Sequence, residues 1–279
     1  MSFGSRVAWR EGQFLRPQHF QQADRAAAWQ MRVRAEGLRP YPWGLTQIAI
    51  DEDLAAVGKF TVVRASGIMP DGTAFSIPDD MPPPPPLDVP PDTRDATIYL
   101  TLPAAQAGAQ EFAEAERAGP DVRYLVAESE VVDCFSDDRS REPIELARPN
   151  LRFGVTRDQT YGRILCGIAQ VREVDNKRVM FDDRYIPPAL DMDTSRPLKH
   201  GLIDIIGRCD QRIDELAVRA VEATDGGNET FASFLLLQAL NRWVAVLRHL
   251  ESLPMVHPER LYEELLSLAG EVATLVKPE

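Results

Sequence analysis

The stretch YIPPALDMDTSRP, residues 185–197, divides the chain into two kinds of sequence. It holds Pro187, Pro188 and Pro197 and shows neither a period of two nor one of 3.6, so it reads as a linker. Upstream, from about Trp43 to Arg184, short runs rich in Val, Ile, Tyr and Phe are punctuated by Pro, Gly and Asp, as strands are. Downstream, from about Leu198, apolar residues recur at helical spacing. The expected fold class is therefore α+β and multidomain, with a β domain over residues 1–188 and an α-helical bundle over residues 189–279. At 279 residues the chain exceeds the commonest size for a single core, in keeping with two domains.

Immediately after the linker, Pro197 suits a first helical turn. Leu198, Leu202, Ile205, Cys209, Ile213, Leu216 and Ala220 then follow at spacings of 4, 3, 4, 4, 3 and 4, close to a heptad seam with one skip. TDGGNET is expected to end this helix at Gly226 and Gly227 and to cap the next at Asn228 or Thr230. The second helix, roughly Glu229 to Leu253, is apolar nearly all round and should be surrounded by other helices. It approaches membrane-spanning length, but Asn241 and Arg242 sit at its centre, where a charge in hydrocarbon costs about 3 kcal/mol. A buried bundle helix is expected instead. A third helix restarts at Pro258 with Leu261, Leu265, Leu268 and Val272 on one stripe. Three helices leave the central one hard to cover, so self-association or further chain is expected.

Working back from the linker, candidate strands are LTQIAI, KFTVVRASGIM, TIYLTL, RYLVAESEVVDCF, PIELARPNLRF and GRILCGIAQVRE. Within GIMPDGTAFSIP, Asp71-Gly72 marks a hairpin because Gly tolerates the positive φ such turns require. Strands without crossover helices favour antiparallel pairing, and a β-sandwich is the preferred architecture. Eight prolines fall between Pro78 and Pro91, and the consecutive ones hold an extended polyproline II conformation. This reads as a stiff surface loop between strands; a polyproline-binding partner is the alternative. QAGAQEFAEAERAG is left open between a short helix and an irregular excursion.

Charge narrows the function classes. Acids outnumber bases 43 to 31, the net charge is −12 and the pI is near 4.9, which argues against a nucleic-acid surface. The N-terminus has no apolar region behind its basic residue, so neither a secretory signal nor direct membrane insertion is expected. Cys134, Cys166 and Cys209 are widely separated with no CxxC pair, and they read as reduced, buried thiols rather than zinc ligands or a disulfide framework. No phosphate loop, GxGxxG, HExxH, GxSxG or EF-hand motif occurs, so no cofactor, metal or catalytic residue is expected. His249 and His257 straddle Pro254 at an awkward spacing for two ligands and read as capping or surface histidines. The acid pairs Asp79-Asp80, Asp137-Asp138 and Asp182-Asp183 read as turn residues.

Near the N-terminus, WREGQFLRPQHFQQADR, residues 9–25, places one of four histidines among aromatics and glutamines in a turn-like run. His19 has Asp24 nearby but no nucleophile, so a catalytic loop is disfavoured. The preferred reading is positional: Trp9, Phe14, Leu15 and Phe20 anchor the chain start against the β domain or a neighbouring chain, and His19 and the glutamines bond to backbone.

Three stretches in this order, VAWREGQFLRPQHFQQ, GIMPDGTAFSIP and HPERLYEELLSLAGEVATL, resemble the type VI secretion baseplate family TssK, also called ImpJ or VasE. Trp9, Glu11, Gly12, Leu15, Pro17, Gln18, His19, Phe20 and Gln21 match that family's W-x-E-G-x-x-L-x-P-Q-H-F-Q pattern. The resemblance implies a non-enzymatic, cytoplasmic structural subunit of a bacterial contractile injection machine, docked at the inner membrane. It implies a homotrimer with a phage receptor-binding-protein-like β shoulder, then a helical neck whose seam would run through Leu202, Ile205, Cys209, Ile213 and Leu216. The implied partners are the wedge subunits TssF and TssG, bound through the N-terminal portion. The membrane complex TssJ-TssL-TssM would be contacted only through a C-terminal head, which this chain is expected to lack. The competing expectation is a hydrolase or glycan-binding β domain carrying a helical oligomerisation module.

Overall fold

The computed structural model describes residues 4–106, 108–117, 119, 121–135, 139–222 and 228–275. Asp137-Asp138 and the Gly226-Gly227 stop lie outside the described residues, as do the side chains of Asn228 and Thr230. The chain forms two compact units, Met1–Asp182 and Asp183–Glu279.

The first unit begins with helix α1 (Pro17–Leu38). It continues through β1 (Gly44–Ile50), a single turn α2 (Glu52–Ala55), β2 (Lys59–Phe60), β3 (Val62–Ile68), β4 (Ala74–Ile77), β5 (Leu87–Asp88) and β6 (Arg94–Pro103). It ends with β7 (Phe112–Glu114), β8 (Tyr124–Val132), β9 (Arg141–Pro149), β10 (Arg152–Gly154), a single turn α3 (Arg157–Thr160), β11 (Arg163–Asp175) and β12 (Arg178–Phe181). Among the described residues the strands form four sheets, ordered β1-β3-β4, β10-β6-β11-β12, β2-β5 and β7-β8-β9.

The largest core lies where alternating positions of these strands converge. Ile98, Leu100 and Leu102 of β6 alternate inward, as do Phe75 and Ile77 of β4, and Val62 and Ala65 of β3 join them across a shift in the β1–β3 register. Phe60 stands edge-on to Phe153 and Phe181, at centroid distances of 5.1 and 5.8 Å. The turn at Asp71-Gly72 closes β3 onto β4. Met69 N–H donates to Thr73 O and Gly72 N–H to Met69 O, each at 2.8 Å, while Asp71 Oδ1 accepts from Thr73 N at 3.1 Å. Gly72 takes φ +89°, the conformation that requires glycine here.

Three details depart from the sequence reading. The run after Arg16 is a helix, not a turn: Pro17 occupies its first turn, and the Ala- and Gln-rich stretch that follows sustains it. Pairing is not wholly antiparallel, because β7 lies parallel to β8, with Phe112 opposite Tyr124 and their rings stacked at 5.1 Å. The segment left open around residue 112 thus supplies a short strand. The polyproline run, finally, is not all surface: Met81, Pro84 and Leu87 are buried and the prolines between them exposed.

The second unit holds α4 (Arg196–Glu222), α5 (Asn228–Ser252) and α6 (Pro258–Leu275), preceded by a 3-10 turn at Met192–Thr194. Leu202, Ile206, Cys209 and Leu216 of α4 share one buried cluster with Leu236, Leu240, Val244, Leu247 and Leu250 of α5 and with Leu261 and Leu268 of α6. Met192 N–H donates to Val256 O at 2.7 Å and ties the entry turn to the α5–α6 connection. His257 caps α6, its Nδ1 accepting from Glu259 N at 3.2 Å. Among the described residues, no helix is long and apolar enough to cross a membrane.

Candidate docking surface

The chain start does not enter the core. Trp9, Phe14, Leu15 and Phe20 are 55%, 80%, 53% and 54% exposed, and along α1 only Ala26 is buried. Trp9 nonetheless organises the arm, with its ring 6.0 Å from that of His19 and 6.3 Å from that of Phe20. The His19 ring meets the Gln13 side chain through Nε2 and accepts from Arg16 N–H through Nδ1 at 3.1 Å, which closes the start of α1. Gln22 Nε2 donates to Ser5 O at 2.7 Å and folds the first residues back along the helix. His19, Gln13 and Gln22 therefore bond locally, Trp9, His19 and Phe20 come together, and Phe14 and Leu15 are exposed. What results is an ordered apolar surface that the first unit leaves uncovered.

Beside α1 lies an open cleft of about 660 Å³, lined by Arg25, Trp29 and Arg32 of α1, by Asp71 of the β3–β4 turn, and by Arg123 and Tyr124 at the entry to β8. Arg123 is its structural hub. It is buried, donates to Pro103 O at 2.6 Å and to Thr73 Oγ1 at 2.6 Å, and pairs with the Asp71 carboxylate. Burial alone would pull the pKa of this guanidinium down; Asp71 and the adjacent Tyr124 outweigh that and hold it above its ordinary value. Glu111, the other acid of the cleft, pairs with Arg25 at 3.3 Å. Both cleft acids are thus held by arginines. Among the described residues, no cluster of His, Cys, Asp and Glu could hold a metal ion. Arg123 carries no motif, and its partners Asp71 and Thr73 lie some fifty residues away in sequence, so no local signal marks it.

Within one chain, the positions expected at a neck seam are covered to different degrees. Leu202 and Leu216 are each 1% exposed, Cys209 is buried, and Ile205 and Ile213 are partly covered by the same cluster. The physical reason is α5: a helix apolar nearly all round draws the α4 stripe onto itself before any second copy is needed.

The comparisons with known proteins agree with one another. A family model described as bacterial type VI secretion, VC_A0110, EvfL, ImpJ, VasE matches residues 19–279. The type VI secretion system baseplate component TssK1 of Pseudomonas aeruginosa is 39% identical over 275 residues, covering 98% of this chain and 62% of the relative. A crystal structure of TssK superposes with a TM-score of 0.90 at 31% identity, over 99% of this chain and 63% of that one. A TssK-TssF-TssG baseplate subcomplex solved by cryo-electron microscopy contains a chain with a TM-score of 0.86 at 25% identity, over 99% of this chain and 89% of that one. The chain thus spans 62% of the length of the curated relative it matches. The mixed α+β architecture is that of the TssK structures, and the relatives are named as baseplate components rather than enzymes. With the family model covering all but the first eighteen residues, the chain belongs to the VasE/ImpJ family of bacterial type VI secretion.

Proposed function

We propose that this chain is a structural subunit of a type VI secretion baseplate and works by docking rather than by chemistry. The observation that carries the reading is the 39% identity to TssK1 across 98% of the chain. The exposed apolar arm supplies a physical counterpart, since large uncovered apolar surface on an ordered segment marks an interaction site.

In this reading residues 1–188 form a β-sandwich shoulder and residues 189–279 a helical bundle neck, and the subunit works as a cytoplasmic homotrimer. TssF and TssG, which accompany TssK in the baseplate subcomplex, are the partners. Trp9, Phe14, Leu15, His19 and Phe20 are the residues through which the arm meets them. Ile205 and Ile213, partly covered within one chain, are the seam positions left to contribute to contacts between copies.

Co-purification with TssF and TssG from the same system tests the reading. The parent chain is expected to hold both through size exclusion, and the pair Phe14→Glu and Phe20→Glu to lose them with an unchanged melting temperature, because neither side chain is in the core. Retention of both partners by the double variant would remove the arm from the interface. Failure of the parent to bind either would overturn the baseplate assignment.

A further inference from the structure

The polyproline run is not absorbed by the baseplate reading. Between Met81 and Leu87 burial recurs at every third residue: Met81, Pro84 and Leu87 are covered, while Pro82, Pro83, Pro85 and Pro86 are exposed. Three is the period of a polyproline II helix, so one edge of a three-edged rod is sunk into the core and two edges are displayed. Both ends of the rod are fixed. Asp80 and Met81 N–H donate to Ser76 O at 3.1 and 3.2 Å on entry, and on exit Leu87 pairs with Phe60 and Val89 N–H donates to Gly58 O at 3.0 Å. The five consecutive prolines have no N–H to offer a neighbouring strand, so the displayed edges cannot be used up by sheet pairing.

We propose that Pro82-Pro83 and Pro85-Pro86 form a ligand site for a partner protein that presents an aromatic-lined polyproline-reading groove with a basic rim. Such grooves seat two dipeptides separated by one residue that points away, and here the residue pointing away is Pro84, the one the fold has buried. Anchoring the rod at both ends removes ordering cost that a free peptide meets on binding. The acidic flank sets the rim: Asp79 and Asp80 precede the rod and Asp88 follows it, all exposed, with Asp79 and Asp88 already facing Arg64 at 3.4 Å and Lys59 at 2.7 Å. The surface offered is thus apolar ridges between carboxylates, which a groove lined by Trp or Tyr and edged by Lys or Arg complements.

The probe is an SH3-like module with a basic rim, chosen because it binds the free peptide of residues 79–90, and titrated by its own tryptophan fluorescence. The folded chain is expected to bind it at least as tightly as the peptide does. Replacing Pro82, Pro83, Pro85 and Pro86 with Ala weakens binding tenfold or more; if that variant does not fold, the pair Pro83→Ala and Pro86→Ala reads the same edges. Pro84→Ala lowers the melting temperature and leaves affinity within twofold, and Asp80→Asn weakens binding severalfold at low salt only. A chain that fails to bind while its peptide binds, or a proline variant that binds as the parent does, overturns the proposal and leaves the run a brace.

Discussion

Arg123 is the residue on which the first unit depends most visibly. It is one side chain satisfying a carbonyl of β6, a hydroxyl of the β3–β4 hairpin and the Asp71 carboxylate, all inside the fold. Removing one partner of such a pair leaves the other desolvated without compensation, which costs about 3–5 kcal/mol. Arg123→Ala is therefore expected to lower urea stability by that amount, and Arg123→Lys to recover little, since an ammonium cannot span three partners held in different directions. A loss below about 1 kcal/mol would mean that water takes over the vacated sites. The cysteines give a second check at this scale. Cys134 is exposed, Cys166 and Cys209 are buried, and burial pushes the Cys166 thiol from 9.0 up to about 12. Native labelling with a thiol reagent at pH 8 should modify Cys134 alone, the other two reacting only after denaturation. Because the folded Cys166 keeps its proton longer than the unfolded one, its contribution to stability is whole below pH 9 and fades as pH rises towards 12. A Cys166→Ala variant should show a shallower alkaline loss. Burial expected of all three thiols holds for Cys166 and Cys209 and fails for Cys134, which follows strand β8 and is exposed; the Arg123 hub carried no sequence signal, since it exists only once β4, β6 and β8 are assembled.

Among the elements, the strands read most clearly because their cause is local: β-branched runs bounded by turn residues carry their own signal, as does a Gly at positive φ between β3 and β4. The helix α1 had no comparable signal. Amphipathic period arises when one face is buried, and α1 buries only Ala26, so its apolar residues are free of the 3.6 spacing that would have announced it. The period of three in the proline run was hidden for another reason, as five identical residues cannot show which of them face inward. Close approach of two strands gives a prediction at this scale. β1 crosses β3 with an irregular register near Leu45, and a Cβ on Gly67 would collide with the carbonyl oxygen of Gly44. Neither group can yield, both being backbone within the sheet. Gly67→Ala should cost about 1–3 kcal/mol in thermal or urea unfolding. Gly201→Ala, at a site with open space around it inside α4, should instead be neutral or stabilising by about 1 kcal/mol, helix propensity being the only change. Equal effects at the two positions would show that backbone crowding does not set the β1–β3 approach.

For the whole molecule, the question is which apolar surface joins copies of the chain. The heptad-like stripe on α4 was legible in sequence, but a stripe states only that something covers it, and here the cover is α5 of the same chain. Apolar side chains that one chain leaves outside include Val218 on α4, 58% exposed, and Phe234 on α5 and Leu266 on α6, both exposed to a similar degree. If self-association uses this outer surface, light scattering on the parent should give three times the 31.2 kDa chain mass. Val218→Glu with Phe234→Glu should return it to one chain mass while the melting of the second unit is preserved, because neither residue belongs to its core. Leu202→Ala should do the opposite: it opens a cavity in the α4–α5 core and costs about 2–5 kcal/mol, with the oligomer lost only as the helices unfold. A Leu202→Ala chain that dissociates while its helices remain as stable as the parent's would return the seam to the boundary between copies.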